Sequence, residues 1–321
     1  MSLLKRLTIL PLTLSVLATA PSFAKDLDYP KERLNYTIAF GPGGGNDLMS
    51  RTVVEILKKY DFYPKNIRVD NLAGGSGAVG FNYVAQQQGN PYHLTSTSGN
   101  FLGTPLISNT GWTYEDFTPI GLLAQDAMFL VVRADSEFKT AQDFVEYAKK
   151  NRVVMGGTGA AGPERVVASL FAEKAGFTFD YVPSQDGGGM VTSLTSHSVD
   201  AIVANPSEVS GQIKAGNFRP LAYSEEERST VYVDVPTFKE QGYDFAFALP
   251  RGVVMPKGVD SDVQNWWVET LKKVVATEEW KTYLTTNSLS GNTVWGDDFE
   301  KNLDHTNLDF KRVLTQIGAI K

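Results

Sequence analysis

Four times along this chain a run of strand-forming residues ends in glycines and gives way to a helical pattern, and these junctions are where its chemistry can reside. The first runs from Leu34 to Phe40, through Gly41-Pro42-Gly43-Gly44-Gly45-Asn46-Asp47, into a helix with Val53, Ile56 and Leu57 at three- and four-residue steps. The second passes from Ile67-Arg68-Val69 through Asn71 and Gly74-Gly75-Ser76-Gly77 into a helix containing Val79, Tyr83 and Val84. The third joins Val153-Val154-Met155 to Gly156-Gly157-Thr158-Gly159 and a helix through Val166, Val167, Leu170 and Phe171. The fourth joins Phe179 to Val182, through Gln185, Asp186 and Gly187, to a helix through Val191 and Leu194. A helix start presents unpaired N–H groups and about half a positive charge, which suits a carboxylate. Glycine lets the main chain approach that anion with no Cβ in the way. One such junction serves equally well as a turn; four together point to an anion site without naming the anion.

Enzyme motifs fail one by one. Gly75-Ser76-Gly77-Ala78-Val79-Gly80 fits the dinucleotide pattern, yet no Asp, Glu, Lys or Arg occurs from Asn71 to Tyr114 to hold a ribose hydroxyl or a 2′-phosphate. The first loop is not followed by Lys-Ser or Lys-Thr, which excludes a P-loop, and no G-x-S-x-G elbow is present. His93, His197 and His305 lack metal-ligand spacing and read as surface or loop residues. Asn46 or Asp47 reads as the N-cap of the first helix, and Asp47 as that cap or as a first-turn acid that complements the helix dipole. Arg251, in Leu249-Pro250-Arg251-Gly252-Val253-Val254, is open to two roles: pairing with a ligand carboxylate, or an interdomain salt bridge. No catalytic residue, cofactor or metal is expected.

Four glycine junctions imply an α/β chain with mainly parallel strands. Further strands are expected at Leu94 to Thr97, Ala127 to Val132, Ala201 to Ala204, Pro220 to Tyr223 and Gly252 to Met255, with two long helices after Asp260 and from about Asp298 to Ile317. The first residues read as a signal peptide: Lys5 and Arg6, an apolar run from Leu7 to Ala20, and small residues for cleavage after Ala24. Cysteine is absent, so neither disulfides nor a lipoprotein anchor is expected, and the implied location is the periplasm. The chain has 30 Lys+Arg against 36 Asp+Glu; without the leader's two bases the balance is 28 to 36, or −8. Nucleic acid is a poor partner for such a chain, and an anion must be drawn by local dipoles rather than by the overall field.

The order of motifs resembles the substrate-binding proteins of tripartite tricarboxylate transporters, the Bug family. Carrying the resemblance are Tyr29-Pro30, Phe40 to Asp47, Arg51, Asn71 to Gly80, Tyr114 to Ile120, Arg219-Pro220-Leu221-Ala222, Val235 to Tyr243 and Arg251-Gly252-Val253-Val254. Departures fall at Asn90-Pro91-Tyr92-His93-Leu94, at Gln185-Asp186-Gly187 and at Ser196-His197-Ser198, regions that bear on ligand identity more than on fold. The resemblance implies a type II periplasmic binding protein fold, two doubly wound α/β domains with a ligand cleft between them. The implied division is a signal peptide at 1–24, a first domain at 25–126, a second at 127–245, and 246–321 returning to complete the first. It also implies that Phe40, Gly43, Gly44, Gly45, Asn46, Asp47, Gly75, Ser76 and Gly77 surround one carboxylate. Ser98, Thr158, Gly159, Gln185, Gly187, Asn205 and Arg251 would then receive the distal end. The Arg-Gly pair at Arg251 implies a di- or tricarboxylate, citrate-like or C4, delivered by a monomer to integral membrane permease subunits. A ligand sensor for a membrane signalling partner and an exported hydrolase are the alternatives.

Overall fold

The computed structural model describes residues 27–158, 162–184, 187–316 and 318–320; the expected signal peptide, Gly159, Gln185 and Asp186 lie outside the described residues. The first part of the chain alternates β1 (Leu34–Ile38), α1 (Gly45–Lys59), β2 (Ile67–Asn71), α2 (Ala78–Ala85), β3 (His93–Ser96), α3 (Gly99–Ile107) and β4 (Phe117–Ala127). Next come β5 (Phe129–Arg133), α4 (Ala141–Ala148), β6 (Val154–Thr158), α5 (Pro163–Ala175), β7 (Asp180–Ser184), α6 (Gly187–Thr195), β8 (Ala201–Ala204), α7 (Pro206–Lys214) and β9 (Phe218–Tyr223). The chain ends with β10 (Ala248–Pro256), α8 (Ser261–Val275), α9 (Glu278–Asn287), β11 (Val294–Trp295) and α10 (Asp297–Gln316).

Two sheets form, with orders β2-β1-β3-β10-β4-β11 and β7-β6-β8-β5-β9. Both follow one plan. A parallel trio has its first strand in the middle, and next to the third lies a strand that enters at a crossing between the sheets and runs antiparallel to both neighbours. The sheets are therefore mixed, not mainly parallel, because β5 and β10 each have to enter from the other lobe. In such a doubly wound sheet the crevice opens at the carboxyl ends of the strands where the winding reverses. That point is β1/β3 in one lobe and β6/β8 in the other.

Helices cover both faces. On the first sheet, Met49, Val53, Ile56 and Leu57 of α1 share a core with Trp267, Leu271 and Trp280. The opposite face packs Phe81, Val84, Phe101 and Phe310, and this cluster continues without a break into Phe144, Val166 and Phe171 of the second lobe. Met190, Leu194 and Val209 fill the second sheet's other face. Among the described residues no helix is long and apolar enough to cross a membrane.

All four glycine junctions join a strand to a helix as expected, and Ala201–Ala204 keeps its bounds. Several expectations need correction. The cap position of α1 is Gly44, so neither Asn46 nor Asp47 is its N-cap; both lie inside the first turn. His93 is buried in β3, with Nε2 3.4 Å from Asn35 Nδ2, and is not a surface residue. The strand expected from Ala127 to Val132 is the end of β4 and the start of β5. The expected pair of C-terminal helices is three, because Ser288 closes α9 in a left-handed turn.

Gly80 shows what a small residue does for this frame: a methyl there would lie 2.5 Å from Ala39 Cα and 2.8 Å from the Leu72 carbonyl oxygen. It lets α2 sit directly on β1, so the dinucleotide-like pattern is a packing feature. Gly80→Ala is expected to cost about 1–3 kcal/mol through overpacking, against the gain alanine brings to an exposed helix. Urea denaturation measures this, and unchanged or raised stability would refute the close seat.

Candidate functional site

Side chains cap the helices that begin away from the crevice. Thr140 accepts from Asp143 N–H at α4, Asp260 from Asp262 N–H at α8, and Thr277 from Trp280 N–H at α9. Four of the helices that begin at the crevice have no such cap, whereas α7 starts in a capping box between Asn205 and Glu208. α1, α2, α3 and α5 start at Gly44, Gly77, Ser98 and Gly162, and none receives a capping side-chain hydrogen bond. All four starts thus turn an uncapped positive end to the crevice. At α2 the N–H groups of Gly77, Ala78 and Val79 are taken by the Gly74 and Gly75 carbonyls, and α5 opens with Pro163, which has none, so the open N–H groups are those of α1, α3 and the turn before α2.

Polar side chains hold three of these starts together. Asn71 Nδ2 donates to the Phe40 carbonyl at 2.9 Å and to Asp47 Oδ1 at 2.8 Å, tying the second loop to the first. Asn46 Nδ2 donates to the carbonyls of Ser96 and Thr97 at 3.1 and 3.0 Å, tying α1 to the end of β3. Thr104 Oγ1 donates to the Ser76 carbonyl at 3.0 Å, and Phe40 closes over the second turn, where a methyl on Gly77 would lie 3.0 Å from its ring. Ser76 itself sits at φ 55°, ψ 41°, a left-handed conformation that costs a non-glycine residue about 1–2 kcal/mol.

Asp47 is the brace of the first loop. Its buried carboxylate accepts from Gly43 N–H at 3.0 Å, from Arg51 Nε at 2.9 Å and from Asn71, which commits its oxygens within the loop. Burial works against its charge, but Arg51, Asn71 and Gly43 outweigh it and hold the carboxyl below the usual range. Its contribution to stability is therefore present above the unfolded-state pKa of about 4 and is lost as pH falls through the lower folded value.

Between the lobes lies a buried network. Asp126, at the end of β4, accepts from Nε and from a terminal nitrogen of Arg251 on β10, and its other oxygen accepts from Asn205 Nδ2 at 2.6 Å. The Arg251 guanidinium lies against the first loop, where a methyl on Gly45 would be 2.8 Å from it. Glu208 continues the line: its Oε2 accepts from Asn205 N–H at 3.3 Å and its Oε1 would be 2.7 Å from a methyl on Gly187. The Arg251 ion pair itself lies within the first sheet, between the paired strands β4 and β10, and it is the Asn205 bond to Asp126 that reaches the second lobe. Burial opposes the Arg251 charge, and Asp126 outweighs it, so the guanidinium is held more firmly protonated than usual.

In the second lobe, Thr158 Oγ1 donates to Glu164 Oε1 at 2.7 Å. Burial first, then the nearby acids Glu208 and Asp126, push the Glu164 carboxyl up to about 8. Four buried polar atoms of the site lack any hydrogen-bond partner: Asn46 Oδ1, Ser98 Oγ, Glu164 Oε2 and the Tyr181 hydroxyl. Buried polar groups are nearly always paired, so these four, near the helix starts, are groups that a partner from outside the described residues could satisfy. The described residues singled out from sequence thus meet in one connected region. Sequence reasoning missed Asn71, Asp126, Glu164, Tyr181 and Glu208. Asp126 left a signal, a charge inside the apolar run from Ile120 to Val132. A separate cavity of about 700 Å³ lies behind the crossings, between Glu225, Arg228, Lys281 and His305, and touches none of the glycine loops. Among the described residues no group of His, Asp and Glu could hold a metal ion.

Removing one partner of the buried pair leaves the other charge uncompensated. Arg251→Ala is expected to destabilise the fold by about 3–5 kcal/mol, and Asp126→Asn combined with it to recover a large part of that loss. A double-mutant cycle in urea measures the coupling, and additive losses would refute it.

The family model for the tripartite tricarboxylate transporter family receptor matches residues 51–318. BugT of Bordetella pertussis is 26% identical over 242 residues, covering 73% of this chain and 74% of BugT. A TctC solute-binding protein from Polaromonas, solved without ligand, superposes with a TM-score of 0.78 at 25% identity, covering 90% of this chain and 99% of that one. An R. palustris protein solved with adipate superposes with a TM-score of 0.79 at 20% identity, covering 91% and 99%. The chain belongs to the tripartite tricarboxylate transporter receptors, a family of periplasmic solute-binding proteins that are receptors and not enzymes.

Proposed function

We propose that this receptor captures a small dicarboxylate or tricarboxylate in the periplasm and delivers it to the membrane permease subunits of a tripartite tricarboxylate-type transporter. The observation that carries this reading is the set of four helix starts at the crevice that no side chain caps. One carboxylate sits among the main-chain N–H groups around Gly44, Gly45, Asn46, Gly75, Ser76 and Gly77. The distal carboxylate reaches Ser98, Thr158 and the start of α5. Gly159, Gln185 and Gly187 belong to the same end. The adipate in the R. palustris relative supports a ligand with an acid at each end.

The moving units are 25–126 with 246–321, and 127–245, working as a monomer whose leader is removed after Ala24. Ligand held by both units favours their closed arrangement, because only that arrangement provides both sets of contacts. The closed, liganded form is the one the permease reads. Arg251 acts here through Asp126 and the first loop, fixing Gly45 where its N–H meets the near carboxylate.

Thermal unfolding with succinate, malate, citrate, adipate and monocarboxylates of matched length is the test. At least one polycarboxylate should stabilise the protein by about 2.7 kcal/mol at a concentration 100 times its Kd, with the matched monocarboxylate about tenfold weaker or more. No shift with any acid, on protein freed of carried-over ligand, would sink the reading.

A further inference from the structure

We propose that Glu164 is the residue that selects the distal end of the ligand, donating a hydrogen bond from Oε2–H of its protonated carboxyl to an oxygen of the ligand's second carboxylate. The inference rests on the receptor reading above and adds a residue and a proton to it. Oε1 already accepts from Thr158 Oγ1 at 2.7 Å, which leaves Oε2 to carry the proton. Oε2 has no partner, and the residue is only 3% exposed. A buried O–H without an acceptor is a standing cost, and a ligand oxygen removes it.

The surroundings are shaped around this carboxyl. A methyl on Gly157 would lie 2.5 Å from both Glu164 Cβ and the Tyr181 hydroxyl, and one on Gly162 would lie 2.7 Å from Oε2. Glycine at both positions gives the acid and the phenol their room. The carboxyl also stands beside the contact between the lobes, where a methyl on Gly99 of α3 would be 3.0 Å from the Pro163 ring. Ser98, whose Oγ is likewise buried and unpartnered, immediately precedes Gly99. Parting of the lobes at Gly99 and Pro163 opens the way to both groups.

The charges that face Glu164 come from several elements. Glu208 on α7 and Asp126 at the end of β4 disfavour a further negative charge, and burial disfavours it more. Tyr181 on β7 is neutral, its hydroxyl pushed up by burial and by Glu164, and Arg165 lies over the Tyr181 ring at 5.2 Å. Arg251 is held by Asp126. A neutral acid in such a place can meet a carboxylate through a short, charge-assisted O–H···O⁻ bond, whereas an ionised one would repel it. A ligand ending in a methyl leaves the donor unpaired, which is how the site rejects monocarboxylates. A ligand ending in an ammonium group would instead favour the ionised acid, and the dependence on pH would reverse.

Calorimetric titration with succinate, malate and adipate between pH 7 and 9.5, where these ligands are fully ionised, tests the assignment. With the carboxyl near 8, its protonated fraction falls from about nine-tenths at pH 7 to about one-tenth at pH 9, so affinity should fall about tenfold over that range. Glu164→Gln replaces O–H with an amide N–H donor; it should bind within about threefold of the native protein at pH 7 and lose the decline above it. The ligand-free protein gives a second readout. The folded state keeps the Glu164 proton between the unfolded value near 4.5 and about 8, so native stability should fall with rising pH across that window. Glu164→Gln should flatten that fall and raise Tm more at pH 8 than at pH 5. Native affinity that is flat or rises with pH, or a Glu164→Gln variant with the native slope, overturns the role of Glu164 and leaves the carboxylate receptor standing. Failure of all three acids to bind at any pH overturns both.

Discussion

A helix that starts in a crevice leaves main-chain N–H groups that water reaches poorly and no neighbouring carbonyl can satisfy. Two helices of this chain, α1 and α3, start that way, and four, at Gly44, Gly77, Ser98 and Gly162, start with no side-chain cap, while α4, α8 and α9 are closed by their own threonine or aspartate. The constraint fixes much else. Glycine at three of those positions removes the side chain that would otherwise occupy the space, and at the fourth the Ser98 hydroxyl is present but not used as a cap. The doubly wound order brings these starts to the same end of the strands, because the parallel β1, β2 and β3 feed α1, α2 and α3 and β6 feeds α5, each at a strand's carboxyl end.

Holding such starts in register needs a frame that does not compete for the ligand. Asn71, Asn46 and Thr104 provide it with side-chain donors to carbonyl oxygens, which spend acceptors of the loops and leave their N–H groups alone. Asp47 takes only one N–H from its loop, that of Gly43, and uses Arg51 and Asn71 for the rest. Between the lobes, Asp126 gathers Arg251 from one sheet and Asn205 from the other. A buried pair of this kind adds little to stability over an apolar replacement, but it resists any arrangement that separates the charges. The pair stands beside both crossings, where β4 and β10 pair as Ala127 with Ala248, and so fixes the geometry at the point where the chain passes between the lobes.

The glycine junctions were legible because their signal is local: a switch of hydrophobic period with glycines between. The elements that escaped are those whose signal is not local. β4 contains Pro119 and Gly121, which read as breakers, but tertiary packing overrides them; irregular pairing with β10 accommodates Pro119, and the ring of Trp295 packs against Gly121. α3 carries Pro105 and two glycines within nine residues, and its apolar partners Phe81, Trp112 and Phe117 lie well away in sequence. Val79 and Tyr83 face outward on α2, an eight-residue apolar helix with no polar face to orient it; the sheet beneath, through Gly80, decides. Glu164 looks from sequence like any first-turn acid after a proline. Only the fold puts Glu208, Asp126 and a wall of glycine around it.

The charge inventory explains why a net acidic protein can still hold an acid. Arg51 is engaged by Asp47 and Arg251 by Asp126, so neither cation faces the crevice uncompensated. Attraction to the near carboxylate then comes from dipoles fixed in the main chain, which need no countercharge and no reorganisation when the ligand arrives. Dipoles at helix starts recognise a carboxylate but do not measure the length of what carries it. In the proposed site, length and the nature of the far end are left to the other lobe, where the unpaired atoms near the glycine loops belong to a glutamate and a tyrosine. A far site built from protonated donors discriminates by the loss of a hydrogen bond more than by charge. Polar groups left unpaired in that site also reject a ligand that is too short as effectively as one that lacks the second acid.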